Sequence, residues 1–120
     1  MRRIALALVA ASALALPASA AAQTPIFRIR PATVDGGGVI KIDGHPGKPC
    51  GPDKIVTIYS RAFPDTDHEF AGIHAVYAEV RDSGWYTKHV RIPSSREGHR
   101  YAVGARCGGA SLGTLTLTVD

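Results

Sequence analysis

Gly109-Ala110-Ser111-Leu112-Gly113 fits the GxSxG pattern of hydrolase nucleophile elbows. That pattern works when a strand–turn–helix corner exposes the serine, and an acid and then a histidine follow it in the chain. Here threonine alternates with leucine and valine after the motif, and no histidine lies between Ser111 and Asp120. The glycines read as hairpin punctuation, and no catalytic residue is expected. A second cluster, Asp65-Thr66-Asp67-His68-Glu69, sets three carboxylates beside an imidazole. Oxygen-rich loops hold calcium and carboxylate–imidazole sets hold zinc. The run lacks the glycine and the distal glutamate of an EF-hand loop, so a solvated acidic loop is expected, with no metal. His45, His68, His74, His89 and His99 are many for 120 residues, yet no HxH or HxxxH spacing occurs. Met1, the one methionine, supplies no thioether to a mature copper site. No cofactor is expected.

Two cysteines remain, Cys50 and Cys107. An even pair in an exported chain normally bonds, and no CxxC spacing argues for metal instead. Closing a loop of that length would stabilise a small domain by roughly 3–4 kcal/mol in the chain-entropy model.

Export is itself a reading of residues 1–22. Met1-Arg2-Arg3 is cationic, Ile4 to Leu16 is almost wholly apolar, and small residues follow Pro17. This is the order of a cleaved secretory signal, with Ala20 and Ala22 equally suitable cleavage points. The apolar run is too short for a permanent span of roughly 30 Å. Loss of residues 1–22 leaves 98 residues, enough for one domain. It also removes Arg2 and Arg3, so the formal charge falls from +4 to +2. That balance gives no argument for a nucleic-acid partner. The chain has no Asn, hence no N-glycosylation sequon, and its Ala/Arg/Gly-rich usage suits a bacterial exported protein.

The elements that must position these residues are strands. Phe27 and Ile29 alternate with Arg28 and Arg30 until Pro31, which limits that strand to an edge. Ile40 and Ile42 form a second strand after Gly36-Gly37-Gly38, and Ile55 to Tyr59 form a third. Ile73 to Arg81, Trp85 to Ile92, His99 to Cys107 and the Thr/Leu alternation of 114–119 complete seven, with Ser60 to Gly72 as the longest irregular connection. Trp85 is out of phase with Val90 and Ile92. Either a β-bulge near Thr87 to His89 resets the parity, or the indole lies on the outer face and is free to bind. Phe63 and Phe70 either pin the 60–72 loop to the core or project from it as a binding tip.

The Gly-bounded second strand running into a Cys-bearing loop (Gly38 to Cys50), the D-S-G-W turn (Asp82 to Trp85), the V-R-I-P stop (Val90 to Pro93) and Y-A-V-G-A-R-C (Tyr101 to Cys107) follow one another in a telling order. In that order the chain resembles the Ig-like domains of bacterial secreted and cell-surface proteins over most of residues 26–120. The resemblance implies an all-β, seven-stranded antiparallel Ig-like β-sandwich over 23–120, closed by the Cys50–Cys107 disulfide and used for adhesion or binding. Ala105 stands where antibody-type domains have Tyr, and the resemblance carries over no functional residue. The expected function is a non-catalytic module, secreted, periplasmic or at the cell surface, that binds an extracellular protein or glycan or serves a structural role. The alternative is a small-ligand carrier or secreted inhibitor. Its contacts would come from Phe63, Asp65, Asp67, His68, Glu69 and Phe70 of the long loop.

Overall fold

Nine strands, the longer ones alternating buried and exposed side chains, lie among the described residues, which are 24–47, 50 and 54–120 of the computed structural model. The signal peptide expected over 1–22 lies outside them. The strands are β1 (Ile26–Arg30), β2 (Thr33–Val34), β3 (Val39–His45), β4 (Ile55–Ser60), β5 (His68–Phe70), β6 (Ile73–Glu79), β7 (Tyr86–Arg91), β8 (His99–Cys107) and β9 (Ala110–Val119). They form two sheets, ordered β1-β3-β7 and β2-β9-β8-β4-β6-β5. Buried residues of both sheets make one cluster, with Ile40, Ile42 and Val90 from the smaller sheet and Val56, Ile58, Val103 and Leu117 from the larger. β1 is an edge strand, as the proline after it requires.

Two strands were not among the seven expected. β2 is two residues long and lies parallel to the end of β9, so the chain is not wholly antiparallel. Nothing so short shows a period. β5 turns part of the expected 60–72 loop into a hairpin arm against β6. Ala71 and Gly72 both take positive φ at the hairpin tip (52° and 80°). Ala is an unusual residue for that conformation, which hides the turn from sequence inspection.

The parity of Trp85 resolves without a bulge in β7. β3 and β7 pair in unbroken register from Val39–Arg91 to Gly44–Tyr86. Tyr86, Val90 and Ile92 therefore share the buried face, and Trp85 stands half-buried outside it. The irregularity sits instead in the β8–β9 hairpin, where Ala105 faces Gly113 and Arg106 faces Ser111. The extra residue is Leu112, which is buried, and the shift lets Leu117 and Val119 point inward as well.

The disulfide joins Cys50, in the connection after β3, to Cys107 at the end of β8, with Cα atoms 4.6 Å apart. It thereby links the strand leaving the smaller sheet to the centre of the larger one.

At the rim of the core, the Tyr86 ring crosses beneath Gly44, its partner on β3, and its hydroxyl donates to the Ile26 carbonyl at 3.2 Å. A Cβ at Gly44 would collide with that same carbonyl, so only glycine lets β1, β3 and the phenol meet. Burial raises the Tyr86 phenol pKa well above its usual value; the Asp43 carboxylate adds to this and Arg28 partly offsets it. A raised folded-state pKa favours the neutral phenol in the fold. Stability is therefore undiminished below the unfolded phenol pKa of about 10 and is lost as pH climbs beyond it. Denaturant titrations should show this alkaline loss, and Tyr86→Phe should show a smaller one. An equal loss in both proteins would assign the effect elsewhere.

Candidate functional site

The outer face of the six-stranded sheet is built around Tyr59. In register, Tyr59 faces Ala75 on β6 and Gly104 on β8. Two small cross-strand neighbours leave room for the phenol ring to lie across the sheet. A Cβ at Gly104 would stand 2.5 Å from the Tyr59 Cζ, so the glycine is a seat for the ring. Phe70 of β5 packs on Tyr59, with ring centroids 4.6 Å apart, and the Arg106 guanidinium lies over Phe70 at 5.3 Å. Beside them His68 stacks on Tyr77 at 4.1 Å, and Tyr77 is 42% exposed. Two groups of aromatic side chains, one of them capped by a guanidinium, thus share the face formed by β5, β6, β4 and β8.

Next to Tyr59 the sheet surface dips into a cavity of about 200 Å³, lined in part by Ile73, Ala102, Gly104 and Thr114. Arg61 and Arg100 also line it. Neither guanidinium has a hydrogen-bond or ion-pair partner among the described residues. The volume is below the roughly 300–1,000 Å³ of drug-sized sites, so it suits one ring or side chain.

The six residues expected to form a binding loop divide between two roles. Phe63 is fully buried in the core. Its N–H donates to the Ser60 carbonyl and its own carbonyl accepts from Arg96 at 3.0 Å. Ser60 completes the anchor: its hydroxyl donates to the Ala102 carbonyl at 2.8 Å and accepts the Ala62 N–H. Phe63 therefore pins the segment. Phe70 and His68 do face outward, but from a strand and not a loop tip.

The acidic residues do not converge. Asp65 lies 3.1 Å from His74 Nε2, and Glu69 alternates away from His68 and Phe70 on β5. Asp67 is exposed. No three carboxylate, imidazole or thiol groups gather in ligating geometry among the described residues. Ser111 lies in the bulged start of β9, with its Oγ accepting the Gly113 N–H. The strand–turn–helix corner that a nucleophile elbow needs is not formed there.

Gly104, Arg100 and Arg106 were not singled out from the sequence, and Tyr59 and Tyr77 were not set apart from the aromatic residues of the core. Their alternation marks them as outward-facing. What joins them is the pairing of β4 with both β6 and β8, which alternation alone does not reveal.

No family model and no curated protein matches the chain. Among solved structures, it is similar to the Pseudomonas fluorescens alkylpurine DNA glycosylase AlkC bound to DNA containing an abasic site analog. That likeness has a TM-score of 0.47 at 17% identity and covers 79% of this chain and 29% of the glycosylase chain. It carries no argument about this protein's fold or activity.

Proposed function

We propose that this chain is an exported, non-catalytic binding module of Ig-like architecture. In this reading it recognises an extracellular protein or glycan through the outer face of its six-stranded sheet. The observation that carries the reading is the Tyr59–Phe70–Arg106 cluster and the His68–Tyr77 pair on one sheet face, beside a shallow cavity with two arginines unpaired among the described residues. Tyrosine and arginine are the residue types that most often dominate binding energy, since each offers large contact area and polar specificity together.

The strand order supports the Ig-like part of the proposal. β1, β3 and β7 take the places of strands A, B and E, and β9, β8 and β4 those of G, F and C. β6 and β5 extend the second sheet past strand C, as added strands do in variable-type domains. The disulfide and the leader-like residues 1–22 support export, because such bonds persist in oxidising compartments. The carrier and inhibitor alternative draws less support. The cavity opens on the outer side of one sheet, and the 60–72 segment is held down by Phe63 and by β5–β6 pairing.

The test is affinity capture from the source organism's extracellular fraction, using the wild-type chain and two surface variants. Tyr59→Ala should weaken capture of the partner by roughly 2 kcal/mol or more, as at an interface hot spot. Gly104→Ala, which displaces the ring without removing it, should also weaken capture. Both variants should keep the wild-type fold by circular dichroism. Undiminished capture by both would overturn the proposed face.

A further inference from the structure

The outward positions of the three-stranded sheet carry a second surface, on a different sheet from the Tyr59 face. Across β1, β3 and β7 the register sets Arg30 opposite Lys41, and Lys41 opposite His89. Arg28, Asp43 and Thr87 form the adjacent row, and Arg91 of β7 faces Val39. The strand positions facing outward here include one carboxylate, Asp43. Its side chain is only 10% exposed because Arg28 and Arg30 cover it at 3.0 and 3.5 Å. Solvent therefore meets cations. Lys41 and His89 are exposed and have no hydrogen-bond or ion-pair partner among the described residues.

Like charges directly opposite one another in a sheet are destabilising. Arg30 is compensated by Asp43, whereas Lys41 has no acidic partner among the described residues. Neighbouring strands lie about 4.8 Å apart, and outward residues repeat about every 6.7 Å along each strand. Arg30, Lys41 and Arg91 stand at neighbouring points of this grid, a spacing that fits an extended chain bearing charge on every unit.

Trp85 borders the grid. Arg28 lies over its indole at 5.2 Å and the His45 ring meets it edge-on at 5.7 Å. With these two neighbours the indole is half-buried. The exposed apolar residues Ile26 and Val39 lie at opposite ends of β3, Ile26 on β1 opposite His45 and Val39 opposite Arg91. With no clustered apolar anchor, the face suits a flat, hydrated polyanion better than a bilayer. We propose that the outer face of β1, β3 and β7 docks an acidic polysaccharide, with Arg30, Lys41 and Arg91 meeting its carboxylates.

The proposal is tested with the exported chain and polygalacturonate, with dextran as the neutral control. Polygalacturonate should bind and dextran should not, and affinity should fall steeply as salt rises. Lys41→Glu and Arg30→Glu should each weaken binding about tenfold, because each reverses a charge at the surface. Tyr59→Ala should leave polygalacturonate binding unchanged, which separates this surface from the one proposed above. Circular dichroism and a thermal melt establish that each variant is folded. Failure of polygalacturonate to bind would overturn the inference, as would tighter binding to phosphatidylglycerol vesicles or to single-stranded DNA. Binding that persists unchanged in both charge-reversal variants would overturn it too.

Discussion

Replacing both Cys50 and Cys107 with serine should cost about 2–5 kcal/mol of folding stability, read from denaturant midpoints. The bridge closes 57 residues of sequence separation, so its absence frees the unfolded chain across more than half of the region that folds. It also acts where the strands alone do least. The connection from β3 to β4 crosses between the sheets, and Cys107 ends the strand to which that connection is fastened. A total stability of about 5–15 kcal/mol is usual for a domain, so the loss would be a large share. Two thiols titrating in the denatured, unreduced protein would show that the bridge does not form.

Phe63→Ala should lower stability by about 3–5 kcal/mol, the range for emptying a buried aromatic position. The ring is fully buried, and its backbone is held from both sides by Ser60 and Arg96. Little around it can collapse to fill the space. Phe70→Ala, a change at a half-buried ring on the outer face, should cost far less stability and should instead weaken partner capture. The two phenylalanines are seven residues apart, yet one belongs to the core and the other to the surface. Equal losses of stability in the two variants would contradict this division of roles.

That division shows where sequence reading succeeds and where it stops. Period-two alternation located β1, β3, β6, β8 and most of β9, because each buries one face, while β-branched content marked β4 and the flanking turn and proline marked β7. It missed β2 and β5, which are too short to show a period, and β5 also ends in a turn with Ala in an unusual conformation. At Trp85 the sequence left a choice between a bulge and an outer-face ring. The regular β3–β7 ladder selects the second, and Tyr86 fills the core position that parity demanded. The cysteine pair was legible once export was expected, since two thiols in an oxidising compartment have few fates other than a bond.

The surface around Tyr59 was less legible, for a physical reason. Its residues come from β4, β5, β6 and β8, and contact depends on which strands pair and in what register. Gly104 in the sequence reads as one more glycine in a strand. Only the pairing shows it beneath the Tyr59 ring. The acidic run 65–69 had the opposite character, being conspicuous in sequence but dispersed by the fold. Asp65 turns to His74, while alternation along β5 sends His68 and Glu69 to opposite sides.

The central claim is that the outer face of the six-stranded sheet recognises the partner. Chemical-shift mapping of the isotopically labelled chain, titrated with its captured partner, tests it most directly. The predicted result is a set of perturbed resonances concentrated at Tyr59, Phe70, Tyr77, Gly104 and Arg106, diminished in Tyr59→Ala. Saturable binding that perturbs only other surfaces and leaves these five resonances unmoved would contradict the claim.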